Sequence, residues 1–325
     1  MRPIVLEQER HVTASGRIWL GVGFGVAAGA LWGLVFLAPE LVREFTPLQM
    51  SAGRYLAYGL FALALVAPRW RAVTASLSRA DWTALAWLSL LGNILYYVLL
   101  ANAVTLGGVA MTSLIIGFLP VAVTVIGSRD HGAISLVRLA PSLALSVAGV
   151  GCIAWQSLGS GGSGFALSRV MGLACAVGAL VSWTAYAVGN SLWLERIGHV
   201  SAHDWSLLTG VATGAEALVL AVPAMLIGAK HHDMAAWTRF TAVSAGVAII
   251  ASIIGNALWN RMSRLLPLTL VGQMILFETL FALLYGFIWE HRAPTVLEAV
   301  AIVLVVASVV SCISAHRSEA VHPAE

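Results

Sequence analysis

The 325-residue chain is 59% apolar and only 10% charged, with a mean hydropathy of +0.89 and a formal net charge of +3. A soluble protein carries about 25% charged residues, so eighteen basic and fifteen acidic side chains cannot coat a globule of this length. Soluble enzymes and disordered chains are excluded, and a basic nucleic-acid binder is too, because the bases form no stripe and fall in short gaps between apolar runs.

A bilayer core takes about 20 apolar residues per helix. In chain order the candidate spans are 18–38, 47–67, 82–105, 107–127, 135–156, 170–191, 205–228, 240–262, 265–289 and 295–315. Gly107-Gly108 separates the third from the fourth and predicts a tight helical hairpin. With the N-terminus inside, twelve Lys/Arg fall on inner segments (2, 10, 17, 69, 71, 79, 129, 138, 196, 261, 264, 317) and five on outer ones (43, 169, 230, 239, 292). That bias puts both termini in the cytoplasm, and the first span reads as a retained helix, not a cleaved signal. Nine of the twelve tryptophans (19, 70, 82, 87, 155, 193, 205, 237, 289) fall near span ends as an anchoring belt, leaving Trp32, Trp183 and Trp259 deeper. Gly21, Gly25, Gly29 and Gly33 form a ridge on the first span suited to close helix packing.

The Gly/Ser run SLGSGGSG at 157–164 reads as a linker and splits the spans five and five. Across it the halves echo. Gly92-Asn93-Ile94-Leu95-Tyr96-Tyr97 answers Gly255-Asn256-Ala257-Leu258-Trp259-Asn260, Asp130-His131-Gly132-Ala133 answers Glu290-His291-Arg292-Ala293, and Trp32 answers Trp183. Five spans is an odd number, so the second half enters from the opposite side. Inverted repeats mark secondary transporters with a site near the midplane. The expected organisation is a tail at 1–17, a five-helix repeat at 18–156, an outer linker at 157–169, a second repeat at 170–315 and a tail at 316–325. The fold class is an all-α membrane protein.

Three ionisable residues lie inside spans: Arg54, Glu216 and Glu278. Gln273, Met274, Phe277, Glu278 and Phe281 share a face by helical spacing, where a carboxylate can receive an ammonium or a proton, or serve as a structural hydrogen bonder. Arg54 is either a partner for a carboxylate or a cap on neighbouring carbonyls. Glu216 has no aromatic or amide companions on its face and reads as packing or snorkelling. Asn93, Tyr96 and Tyr97, with Asn256, Trp259 and Asn260 and with Trp183, Tyr186 and Asn190, set amides beside amphipathic rings, a lining fit for a zwitterion with its side chain.

Enzyme readings fail on their chemistry. Gly161-Gly162-Ser163-Gly164 matches the GxSG of intramembrane serine proteases but lies in the Gly/Ser linker, where no base would activate the serine. No H-E-x-x-H and no Walker A motif is present. His231-His232-Asp233 lacks the further partner that a closed metal site needs. Cys152, Cys175 and Cys312 lie in apolar runs and read as small hydrophobes.

The chain resembles the drug/metabolite transporter superfamily in its EamA-type branch. The matching pieces are Ala30-Leu31-Trp32-Gly33 with Phe36, Pro47 followed by Arg54, Gly92 to Tyr96, Leu119-Pro120, Ser182-Trp183-Thr184-Ala185-Tyr186, and Phe277-Glu278 followed by Glu290. Thr279 stands where the family often has proline, and Asp130 where a Gly-Glu pair is usual. The likeness runs over roughly 20–156 and 170–315 and within the branch is greatest to bacterial amino-acid exporters of the YddG type. It implies ten helices as two inverted five-helix repeats and a central cavity. It further implies alternating-access export of small metabolites, amino acids foremost and aromatic ones among them, across a bacterial inner membrane. A channel or scaffold, an intramembrane enzyme, and drug or nucleotide-sugar transport are the competing readings. The expected partners are a small-molecule substrate and the lipid bilayer, with no nucleic acid, cofactor or metal, and a monomer is compatible with all of this. The substrate-binding set is Trp32, Asn93, Tyr96, Tyr97, Trp183, Tyr186, Asn190, Asn256, Trp259, Asn260, Gln273 and Glu278, with Arg54 as charge partner.

Overall fold

In the computed structural model, residues 14–107, 112, 115–129, 134–158, 167–227, 232–289 and 291–321 are described. The N-terminal tail to residue 13, Gly108, the run Asp130 to Ala133, the linker from 159 to 166, Lys230, His231 and Glu290 lie outside the described residues. Those that are described contain helix and no strand.

The helices follow the apolar runs. They are α1 (Ala14–Gly33), α2 (Pro47–Val66), α3 (79–107), α4 (Leu119–Gly127), α5 (Leu136–Leu158), α6 (Leu167–Arg196), α7 (Ala202–Ile227), α8 (Met234–Leu265), α9 (Leu268–Trp289) and α10 (Val296–Val321). Short turns extend α1 through Leu34–Leu37 and Ala38–Leu41. Local chemistry sets several starts. Thr46 with Gln49 and Ser78 with Asp81 form capping boxes for α2 and α3, and the Asp233 carboxylate accepts from Ala236 N to open α8. Pro267 cannot continue α8 and begins α9.

Among the described residues, seven helical stretches are long and apolar enough to cross a membrane, and Leu136–Gly149 is a shorter apolar one. Outward faces are apolar to an extent that water does not tolerate: Leu60, Leu218, Val219, Leu226 and Val303 are all more than 60% exposed. Trp19, Trp87, Trp155 and Trp289 are exposed as a belt requires, whereas Trp205 is fully buried. Its position near a span end masked an interior role, because its indole N–H donates to the Asn190 amide.

α2 packs along α7, α5 along α10, α4 along the start of α9, α3 along α6, and α1 against both α8 and α9. Small residues permit the closest approaches. A Cβ on Gly59 would lie 2.4 Å from the Gly214 Cα, so α2 and α7 cross backbone to backbone. The glycine ridge of α1 behaves alike: Gly29 and Gly33 abut Phe277–Glu278 and Phe281–Ala282 of α9.

Two long helices change pitch midway. α3 opens into a π-turn at Leu90–Leu95 and α8 into another at Ala248–Gly255, each overlapping or abutting a Gly-Asn pair. A π-turn strands a carbonyl that the α-helical ladder would satisfy. The side chain that rescues it comes from across the bundle in both places. Ser182 Oγ of α6 donates to Leu91 O at 2.8 Å, and Trp32 Nε1 of α1 donates to Ala251 O at 3.0 Å. Gly92 and Gly255 leave room for this: Tyr186 lies against the first and Trp32 against the second.

Candidate functional site

The π-turns aim side chains of α3 and α8 at the middle of the bundle, where α1 and α6 add aromatic rings. Trp32 and Trp259 have ring centroids 5.0 Å apart, Trp259 and Trp183 5.7 Å, Trp183 and Tyr186 5.9 Å, and Tyr96 and Trp183 6.5 Å. Five expected site residues from four helices therefore form one continuous aromatic cluster. It is mostly sealed, and the Trp259 indole N–H is buried with no hydrogen-bond partner.

Beside the cluster lies a half-buried polar surface. Arg54 Nε donates to Ser252 Oγ at 3.2 Å, and its guanidinium carbon stands 5.2 Å from the Tyr55 ring centroid and 6.0 Å from that of Tyr97. These contacts hold the side chain as a cation–π pair would. Its two terminal nitrogens make no hydrogen bond to any described residue. Glu278, also half-buried, has no hydrogen bond or ion pair to its carboxylate among the described residues.

The amides divide into two sets. Asn93 Nδ2 donates to Thr213 Oγ1 at 2.9 Å, and Asn256 Nδ2 donates to Tyr58 Oη at 3.3 Å, with Tyr58 passing its own proton to Ser206 O at 2.8 Å. Both are half-buried beside Arg54 and the aromatic rings. Asn190 and Asn260 instead bond to each other at 2.9 Å, deep in the core, and Asn190 also accepts from Trp205. Their polar atoms are taken up in holding α6, α7 and α8 together.

Gln273 is likewise apart from Glu278. Its amide donates to Thr124 Oγ1 at 3.2 Å and accepts from Ser308 at 3.0 Å and Ser146 at 3.3 Å, tying α4, α5, α9 and α10. The hydrogen-bond pattern changes at Ile275, which keeps helical φ and ψ while i→i+3 bonds join Ile275 N to Gly272 O and Glu278 N to Ile275 O. Gln273 and Met274 are buried, whereas Phe277, Glu278 and Phe281 are half-buried. Tyr55, Tyr58, Ser252 and Thr213 contact Arg54, Asn256 and Asn93 and were not expected from sequence. A signal exists: Ser89 and Ser252 each precede the Gly-Asn pair by one turn, so the echo is longer than G-N-x-L and runs S-x-x-G-N-x-L-aromatic. Ser89 Oγ donates to Thr209 O at 3.2 Å, as Ser252 accepts from Arg54.

At the other end of α8, His232 stacks on Phe45 at 4.2 Å, with Trp237 and Phe240 completing the cluster. Glu44 pairs with Arg239 at its rim, and a backbone hydrogen bond together with that guanidinium holds the Glu44 carboxyl below the usual carboxylate range.

The described residues form a multi-pass helical membrane protein with an arginine, a glutamate and a cluster of aromatic rings within its bundle. The EamA-like transporter family model matches residues 19–154. The inner membrane protein YtfF of Escherichia coli K12 is 31% identical over 308 residues, which cover 91% of this chain and 95% of that protein. The chain belongs to the EamA-like transporters of the drug/metabolite transporter superfamily. A solved crystal structure superposes with a TM-score of 0.69 at 20% identity, over 92% of this chain and 98% of the other, a likeness of fold.

Proposed function

We propose that this transporter exports amino acids, aromatic ones among them, across a bacterial inner membrane by alternating access. Ten spans, arranged as inverted repeats at 18–156 and 170–315 with both termini in the cytoplasm, frame the site between them. The helix pairings support the repeat. Advancing every helix by five places maps α3 with α6 onto α8 with α1, and returns α2 with α7, α5 with α10 and α4 with α9 to themselves. Hydrogen bonds follow the same exchange. Arg54-Tyr55-Leu56-Ala57-Tyr58-Gly59 aligns with Thr209-Gly210-Val211-Ala212-Thr213-Gly214. Under that alignment Asn93 with Thr213 answers Asn256 with Tyr58, and Ser89 with Thr209 answers Ser252 with Arg54. The family model's match to 19–154 also falls on the first repeat.

The observation that carries the substrate reading is that two ionisable side chains, Arg54 and Glu278, stand half-buried in the bundle with hydrogen-bonding capacity that no described residue satisfies. An intramembrane charge costs at least about 2.5 kcal/mol, so two left unpaired face water or a ligand. A zwitterion satisfies both: its carboxylate takes the two free Arg54 nitrogens as a fork, and its ammonium takes Glu278. Rings at Tyr96, Tyr97 and Trp183 then meet the side chain. Arg54 stands where the other repeat has Thr209, so the first half alone supplies the cation. The tests are counterflow of radiolabelled amino acids in proteoliposomes and the Arg54→Thr variant. Counterflow with saturable kinetics is expected, and Arg54→Thr should raise the half-saturation by about tenfold to a hundredfold, the worth of about 1.5–3 kcal/mol for bonds to a charge. Equal transport by Arg54→Thr, or no counterflow with any amino acid, overturns the reading.

A further inference from the structure

A groove of about 410 Å³ opens where α1 meets the end of α8 and the α6–α7 turn, remote from the central charges. Its floor is apolar, made by Leu20, Phe24 and Leu265, and Leu20 is 50% exposed. Its wall is cationic. Arg261, exposed, lies 5.9 Å from the Phe24 ring and has no acidic partner among the described residues. Arg264 donates to the carbonyls of Ile197 and Val200 just past the end of α6 and meets no carboxylate among the described residues. Arg17, exposed, falls on the Leu20–Phe24 stripe of α1 by i, i+3, i+7 spacing. Asp204, next in the chain to the lining residue His203, is bound to Arg69 at 2.9 Å and to Ser201 at 2.7 Å. Trp19, 51% exposed beside Leu20, sets this level at the membrane–water interface.

We propose that this groove is a binding site for an anionic phospholipid of the adjacent leaflet. The phosphodiester would sit between Arg17, Arg261 and Arg264, and the start of an acyl chain would lie along Leu20 and Phe24. A free anion meets the same cations but gains nothing from an apolar shelf, and a zwitterionic lipid brings a compensating ammonium to a wall that has no carboxylate to receive it. The site asks for phosphate, net negative charge and a hydrocarbon chain together.

The test is thermal unfolding of the full chain in neutral-detergent micelles titrated with dioctanoyl phosphatidylglycerol, dioctanoyl phosphatidylcholine or inorganic phosphate at matched ionic strength. Phosphatidylglycerol should raise the midpoint saturably, and the other two should not. Arg261→Gln, an exposed position, should unfold like the parent without lipid and bind phosphatidylglycerol about fivefold more weakly. Combined with Arg17→Gln the loss should reach about 25-fold, following the worth of each interfacial charge. Leu20→Ser should weaken lipid binding with every cation in place. An equal shift with phosphatidylcholine, a shift reproduced by inorganic phosphate, or undiminished affinity in both Arg261→Gln and Leu20→Ser would overturn the proposal.

Discussion

Gly29 offers a sharp test of how the charged site is held, because it ties the position of Glu278 to one missing methyl group. A Cβ added there would lie 2.6 Å from the Phe277 Cβ and 2.9 Å from the Glu278 backbone nitrogen. Carbon atoms in contact sit about 3.5–4.0 Å apart, so α1 and α9 must separate by about 1 Å to admit it. Overpacking of this kind costs about 1–3 kcal/mol, against about 0.5–1 kcal/mol gained by alanine over glycine inside a helix. Gly23 is the matched control: it lies on the same helix, and a Cβ there meets nothing within 4 Å. Gly23→Ala should therefore be neutral or slightly stabilising, and Gly29→Ala destabilising by up to about 2 kcal/mol. Since the strain falls on Glu278 itself, Gly29→Ala should also impair transport more than its stability loss explains. Denaturation midpoints in micelles and initial transport rates at matched reconstitution would measure both. Indistinguishable behaviour of the two alanine variants would refute the view that the glycine ridge positions Glu278.

Asn190→Ala should strand both the Trp205 indole and the Asn260 amide inside the core and cost about 1–3 kcal/mol in thermal stability. Trp205→Phe, which deletes one donor and keeps most of the ring, should cost less. Reporter fusions after Arg71 and Arg196 should read as cytoplasmic and fusions at Gly161 as external; an internal signal at Gly161 would remove the inverted repeat.

The sequence carries the helices and the aromatic cluster plainly, because apolar length and repeated Gly-Asn-aromatic runs are local properties of the chain. Trp32, Trp183 and Trp259 stand out as the tryptophans away from span ends, and they do meet. What sequence reading misses depends on pitch. Grouping Gln273 with Glu278 rests on spacing alone, and spacing does not tell that the Gln273 amide is taken up by Thr124, Ser308 and Ser146 while Glu278 has no such partner among the described residues. Trp205 and Trp19 lie alike near span ends, yet only the structure separates an interior indole with an amide partner from an exposed anchor. The π-turns have no residue signature of their own. Their trace is indirect, in the glycines that admit a ring and in the serine one turn earlier.

The bonds shared by the two halves and those that differ separate scaffold from recognition. Where the proposed repeats match, at Asn93 with Thr213 and Asn256 with Tyr58, the side chains spend their polar atoms on neighbouring helices. Both bonds join one half to the other, α3 to α7 and α8 to α2, and so tie the halves together at the centre of the bundle. Arg54 breaks the match: Ser89 donates to the backbone carbonyl of Thr209, whereas Ser252 accepts from the Arg54 side chain, whose two outer nitrogens make no hydrogen bond to any described residue. Glu278 is the complementary surplus, fixed by the backbone contact with Gly29 and bonded to nothing among the described residues. On the proposed two-fold scaffold, one cation and one carboxylate left over would admit a polar substrate in a single orientation. Specificity in this transporter is then expected to reside in the few positions where the halves disagree.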